Sequence, residues 1–187
     1  MFDVAIIGGG PAGATAAMFT ARAGLSTIVI DADKGITRRA MLHNQSGFPQ
    51  GITGPEFVDL GKAQAIGAGA EWLETTATGF VGTEGAFTVT TEAGSDITAA
   101  EIILCVGVAS GWAAEFGIDT KPATEPRIQV ICETDPEGRT TVPGVWAAGI
   151  AGGASVHTVT TAGDGARVAI NLVSARRGER YIDHDAM

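Results

Sequence analysis

Cysteine is scarce in this chain. Cys105 and Cys132 are the two cysteines among 187 residues, and no C-x-x-C occurs, so neither a zinc site nor a local redox dithiol is written into it. Each lies in an apolar stretch, IILCVG and IQVICE, where cysteine behaves as a small hydrophobe. Positive charge is also thin. Twelve Lys and Arg face 21 Asp and Glu, for a net charge of −9, and the basic residues meet only in pairs such as Arg38-Arg39 and Arg176-Arg177. Such a chain lacks the basic footprint that nucleic acid or an anionic membrane requires. No apolar run approaches the roughly 20 residues of a membrane span. The sequence opens directly on an apolar strand pattern, without the charged region and cleavage site of a secretory signal, and a cytoplasmic protein is expected. No metal-ligand spacing, internal repeat or low-complexity tract is found.

Glycine, by contrast, is abundant at 27 residues, and its placement is informative. The chain begins MFDVAIIGGGPAG. Val4-Ala5-Ile6-Ile7 has the length and branching of a buried strand, and Ala12 to Ala23 continues as a small-residue helix. Between them Gly8, Gly10 and Gly13 form G-x-G-x-x-G, and Asp31 closes the next strand pattern, STIVID. Strand, glycine turn, helix and distal acid together predict a dinucleotide cradle. Gly8 permits the tight turn, Gly10 admits phosphate close to the backbone, and Gly13 lets helix pack on strand. The helix start, with Pro11 and Ala12, offers free N–H groups to a pyrophosphate. Asp31, followed by Ala32, is placed to accept from a ribose hydroxyl; its charge disfavours a 2′-phosphate, which selects FAD or NAD over NADP.

Further along, DADKGITRRAMLHNQSGFPQGITGPEF holds four glycines and two prolines without a period and is expected to be a long loop. A helix is predicted from Gly54-Pro55 to about Gly67, with Phe57, Val58, Leu60, Ala63 and Ile66 as its apolar face. Strands are predicted at 71–75, in a meander at 78–81, 87–91 and 96–98, and as a buried strand at 101–106. Residues 111–140, with three prolines, show one strand at 127–132. Val145–Ala148 is a last short strand, and a helix follows over Thr160–Arg176, burying Val168, Ile170, Leu172 and Val173. The tail from Gly178 reads as loosely held, apart from a packing opportunity at Tyr181-Ile182.

On these residues the chain resembles the FAD-binding domain of thioredoxin reductase-like flavoproteins. DVAIIGGGPAGATAAMFTARAG is similar to their ADP-binding start, and GFPQGITGPEFVDLGKAQAIGAGAEW to the loop and helix that follow. IILCVG, ending at Gly107, takes the place of their apolar-strand-plus-ATG motif, and TTVPGVWAAGIAGGASVHTVTTAGDGARVAINL resembles their C-terminal flavin-binding motif. The resemblance implies an α/β domain, three-layered and Rossmann-like, that binds FAD or NAD(P) and carries a small antiparallel β-meander. It also implies one FAD-binding domain over 1–187, with halves 1–111 and 139–175. In this family an NADPH-binding domain with a second glycine motif, usually with a C-x-x-C, separates the halves; here residues 112–138 join them.

The resemblance carries cofactor contacts onto Gly149, Ile150, His157, Thr158 and Val159. It departs at Ile150, where the family has the aspartate of a Gly-Asp pair facing the ribityl-phosphate portion. An unpaired ribityl hydroxyl would cost about 1–3 kcal/mol unless water or Ser155 substitutes. Cys105 replaces the alanine of ATG, where a reactive thiol is a minor alternative to a buried one. His157 stands where the family has a flavin-side glutamine, either as an acid beside reduced flavin or as a structural histidine. The start of the last helix is expected to direct its dipole at the flavin and raise its reduction potential. Asp164, near that start, is expected to favour the same dipole. His43, Asn44 and the Arg38-Arg39 pair read as solvated, and the tryptophans as core or interface. The activity implied is that of an FAD-dependent oxidoreductase reduced by a diffusing nicotinamide nucleotide, a small reductant or a protein redox partner, with a homodimer or a partner protein shielding the flavin. A non-catalytic FAD-binding electron-transfer or sensor subunit is the alternative, and an NAD-dependent dehydrogenase a third reading.

Overall fold

The computed structural model describes residues 1–184. The chain opens with β1 (Phe2–Ile7), α1 (Pro11–Arg22) and β2 (Thr27–Asp31), a parallel crossover in which Val4 to Ile7 lie beside Thr27 to Ile30. The long loop that follows is ordered as a 310 turn, Ile36–Arg39, and a two-residue hairpin, β3 (Met41–Leu42) with β4 (Ile52–Thr53). Next come α2 (Gly54–Gly67), β5 (Glu71–Glu74), β6 (Ala77–Thr83), β7 (Ala86–Thr91) and β8 (Ile97–Leu104). A kinked 310 segment, Gly107–Phe116, leads to the small pair β9 (Thr120–Pro122) and β10 (Val130–Cys132). The chain closes with β11 (Val145–Ala147), a 310 turn at Gly149–Gly152 and α3 (Thr158–Arg177).

Seven strands form one sheet in the order β5-β2-β1-β8-β7-β6, with β11 also on β8. The long strand β8 explains the mixed topology. Its first residues, Ile97–Ala99, pair antiparallel with β7, and Ile102–Leu104 pair parallel with β11. The sequence reading split this strand in two, at 96–98 and 101–106. Ala99-Ala100 carries no breaker, so the strand runs through and changes partner along one edge.

The pleat sends alternate side chains into two cores. Val4, Ile6, Val29 and Ile103 face the helices, where Ala16, Val168 and Leu172 cover them. Ala5, Ile7, Ile28 and Leu104 face the other way, beneath Phe80, Phe87 and Val89 of the meander and Ala113 and Ile118 of the 107–118 segment. Helices, sheet and meander therefore make the three layers, as expected of an α/β nucleotide-binding fold.

Several expectations are corrected. On α2 only Gly54, Val58 and Ala65 are buried, while Leu60 is 54% and Ile66 46% exposed. The helix meets α1 through small residues, a Cβ on Gly61 standing 3.3 Å from Ala14 Cβ, and close approach at that line tilts the larger apolar groups away. A capping box fixes its start, with Glu56 N–H donating to Thr53 Oγ1 and Thr53 N–H to the Glu56 carboxylate. The strand expected at 127–132 shrinks to Val130–Cys132 because Arg127 sits at φ +69, in a turn. On α3 Ile170 is half-buried, and Ala169 joins Val168, Leu172 and Val173 inside. The tail is anchored as far as Asp183. Tyr181 is buried under Arg177, its N–H donates to Ser174 Oγ at 3.0 Å, and Asp183 accepts from Arg22 at 2.7 and 2.9 Å. Ile182 is exposed, and residues 185–187 of that tail lie outside the described residues.

Candidate functional site

All five parallel strands, β1, β2, β5, β8 and β11, point their carboxyl ends the same way. A cleft of about 380 Å³ crosses that edge of the sheet. Open parallel sheets place ligands there, where chain leaves the strand ends and helices begin.

One end of the cleft is built by backbone. Gly8 (φ +102) lies so near β8 that a Cβ would stand 2.4 Å from the Cys105 carbonyl oxygen, and a Cβ on Gly13 would stand 1.8 Å from the Gly8 oxygen. These two glycines let strand, turn and helix touch. Gly10 is different: a Cβ there meets nothing within 4 Å, so its backbone faces open cleft. No side chain caps α1, and Ala14 N–H already donates to the Gly10 oxygen. Asp31 closes this end, its Oδ1 accepting from Gly9 N–H at 2.9 Å.

Of the residues read from the sequence, Gly8, Gly10, Pro11 and Ala12 line the cleft, as do Asp31 and Ala32. Gly107 and Ile150 line its other end. Gly13 is buried behind the turn, and Gly149 packs against Ala12 and Thr161 rather than lining the cleft. His157, Thr158 and Val159 stand outside the lining as well. His157 is exposed, with Nδ1 2.7 Å from Ser155 Oγ, and Thr158 Oγ1 donates to Gln45 Oε1 at 2.8 Å. Ser155, offered as a substitute acceptor, is engaged by that histidine. The cleft reaches the start of α3 through Val156 and Thr161 instead. His43, Asn44 and Arg39 are exposed, and Arg38 pairs with Asp33 and Asp59.

The sequence reading missed Lys34, Thr76, Ala77, Val108, Ala109 and Trp112 in the lining. Thr76 and Ala77 carried a usable signal, since they follow a parallel strand end; Trp112 carried none, because its place depends on the kink after Gly107.

Ile150 is buried in the cleft wall, so this end is apolar where a carboxylate was missing from the pattern. Cys105 is buried beside it, and desolvation pushes its thiol well above the ordinary range, with the Asp164 charge adding to the shift. Burial likewise pushes Cys132 up to about 11. The two thiols belong to opposite faces of the sheet. Both are protonated at neutral pH, which removes the reactive-thiol reading of Cys105.

Residues 2–121 match the family pattern of the pyridine nucleotide-disulphide oxidoreductases, well over half of the chain. The chain belongs to that family. Among curated members, the bifunctional thioredoxin reductase/thioredoxin of Mycobacterium leprae is 38% identical over 109 residues, covering 56% of this chain and 24% of that one. The thioredoxin reductase of Aquifex aeolicus is 41% identical over 78 residues, covering 39% and 24% respectively. The match thus spans about a quarter of either relative. Among solved structures, a thioredoxin reductase from Gloeobacter violaceus superposes with a TM-score of 0.77 at 19% identity, covering 100% of this chain and 99% of that one. The atypical thioredoxin reductase TRi from Desulfovibrio vulgaris Hildenborough superposes equally, at 0.77 and 23% identity, over 96% and 99%. These thioredoxin reductases and this chain share the fold. No helix among the described residues is long and apolar enough to cross a membrane.

Proposed function

We propose that this chain is the FAD-holding module of a thioredoxin reductase-like oxidoreductase. The observation that carries the reading is the continuity of the cleft. A dinucleotide cradle at Gly8–Ala12 and Asp31 runs into an apolar chamber bounded by Gly107, Trp112 and Ile150. The residues fit the group: Gly10 opens on empty space, the α1 N-terminus carries no side-chain cap, and the Asp31 carboxylate, its Oδ1 held by the Gly9 N–H, lines the cleft. In this reading Gly10 and Ala12 seat the pyrophosphate, Asp31 holds the adenosine ribose, and the apolar end excludes water from the ring system. Bound FAD would supply hydride and electron transfer. The two cysteines are buried in different cores and form no dithiol, so in this reading the flavin's electron donor is a diffusing nicotinamide nucleotide, a small reductant or a redox partner protein. The domain reading, two halves joined through residues 112–138 and acting as one unit, belongs to the same proposal, as does a second copy covering the flavin.

The test is the visible absorption of purified protein with and without added FAD, then anaerobic NADH or NADPH. Oxidised-flavin absorption that bleaches supports an oxidoreductase reduced by free nicotinamide. Absorption that persists favours the partner-dependent electron-transfer subunit. A colourless protein that ignores FAD overturns the proposal.

A further inference from the structure

Asp164 is the seventh residue of α3, beyond the first turn where a carboxylate would serve the helix dipole, so the dipole role expected from the sequence is replaced by another. Its Oδ2 accepts from Gly149 N–H at 2.7 Å and its Oδ1 from Arg167 Nε at 2.8 Å, with the side chain 15% exposed. Arg167 extends the tie to the Pro136 carbonyl oxygen, and Asn171 Nδ2 donates to the Glu137 oxygen at 2.9 Å. One face of α3 therefore grips both the turn before β11 and the turn after it.

The Gly149 end of this tie matters for the cleft. Gly149 adopts φ +68, and a Cβ there would stand 2.7 Å from Ala12 Cβ and 2.9 Å from Thr161 Cγ2. Gly165, next to Asp164, is pressed against Ala12 from the other side, a Cβ lying 2.2 Å from the Ala12 oxygen. The start of α1, the Gly149–Gly152 turn and α3 thus converge on Ala12, and Ile150 enters the cleft wall one residue beyond the N–H that Asp164 holds.

We propose that Asp164 is a positioning residue for the far wall of the cleft: through the Gly149 N–H it holds Ile150 where the ribityl end of FAD must pass. The inference rests on the FAD reading above. It predicts a larger effect on FAD than on ADP, because ADP is held also by Gly8, Gly10 and Asp31, which lie outside this tie, whereas the ribityl end meets Ile150.

Asp164→Leu removes both acceptors at similar volume, Asp164→Asn keeps one oxygen for the Gly149 N–H, and Arg167→Met cuts the charge pair alone. Asp164→Ser, too short to reach Gly149 but small, replaces the leucine variant if that fails to fold. FAD affinity is read by flavin fluorescence, ADP affinity by calorimetry, folding by thermal melt, and the Gly149 amide by hydrogen exchange in the ligand-free protein. The expected result is an FAD affinity about tenfold or more weaker for Asp164→Leu or Asp164→Ser, with ADP affinity within about threefold of wild type. Gly149 exchange should be faster in the same variants, and Asp164→Asn and Arg167→Met should bind FAD close to wild type. Unchanged FAD affinity in Asp164→Leu and Asp164→Ser overturns the inference alone. So does a parallel loss of FAD and ADP binding that tracks a fall in melting temperature, the mark of a merely structural carboxylate. Wild-type protein that binds ADP and ignores FAD overturns the FAD reading and this inference with it.

Discussion

The two ends of the cleft are made by different means. At the adenosine end the shape is set by what is missing from side chains: Gly8 and Gly13 would drive a Cβ into backbone oxygens at 2.4 and 1.8 Å. At the far end it is set by side chains that reach across the sequence, Asp164 to Gly149 and, just outside the lining, Thr158 to Gln45. A backbone-built end tolerates no substitution at its contact points, whereas an end tied by side chains degrades in steps.

The largest effect should therefore come from Gly13→Ala. The added methyl meets a backbone carbonyl that cannot turn aside without moving β1 or α1, and a loss of about 3 kcal/mol or more is expected in denaturant unfolding. An unfolding midpoint close to wild type would show that helix and strand can separate there, and would remove the contrast between the two ends.

Gly10→Ala adds the same methyl three residues earlier with the opposite partition. Its φ of −67 suits any residue and nothing lies within 4 Å, so folding should change by less than about 1 kcal/mol, the modest cost of alanine at a helix N-cap. Binding should suffer, since the methyl enters the space proposed for the pyrophosphate, and an affinity for FAD or ADP about tenfold to a hundredfold weaker is expected by calorimetry. Equal affinities would mean that no ligand comes close to Gly10.

This contrast also explains what was legible in the sequence. A glycine that must be glycine leaves its mark at fixed spacing, so Gly8, Gly10, Gly13 and the distal Asp31 could be read together, and the cleft does contain Gly8, Gly10 and Asp31. The first two strands and the extent of α2 were legible for a similar reason, being set by local pattern. The far end was not. Its contacts join residues 15 apart for Asp164 and Gly149, and 113 apart for Thr158 and Gln45. The spacing carries no trace of them. Hence His157, Thr158 and Val159 were placed at the cleft by resemblance, while Val156 and Thr161 line it. The buried face of α2 failed for a third reason: hydrophobic period marks large residues, and Gly61 against Ala14 is a contact of small ones.

Glu101, outside the cleft, tests by pH a side-chain tie of the same kind. It is buried behind β11, bonded to Trp146 and to Arg176 Nη1 at 3.3 Å. Desolvation holds its carboxyl above the ordinary 4.5, the bonds from Trp146 and Arg176 opposing and the Glu84 charge adding. An acid whose pKa is raised on folding binds its proton more tightly in the folded state. Its stabilising contribution is complete below pH 4.5 and is lost as pH rises through the raised value. Asp3 runs the other way. Held below 3.8, chiefly by the hydrogen bond from Ser26, it contributes above that pH and loses its contribution as pH falls through the lowered value. Glu101→Gln should therefore melt closest to wild type at pH 4 and become progressively more stable relative to it as pH rises toward 7. A pH-independent difference would show that Arg176 cancels the burial of the charge.

The smallest effect is expected on α2, on the outer side of the backbone-built end. Leu60 is 54% exposed on a helix whose contact with α1 is made by Gly61 and Ala14, so Leu60→Glu removes little buried area and leaves the Thr53–Glu56 cap intact. Its cost in unfolding free energy should stay below about 0.5 kcal/mol. A loss several times larger would mean that the helix packs on its large apolar residues, as the hydrophobic period alone suggests. A change in sedimentation with unaltered stability would instead assign Leu60 to a contact between copies of the chain. Either result would show that this side too depends on side chains, and the distinction between the two ends would then hold only for the turn from Gly8 to Gly13.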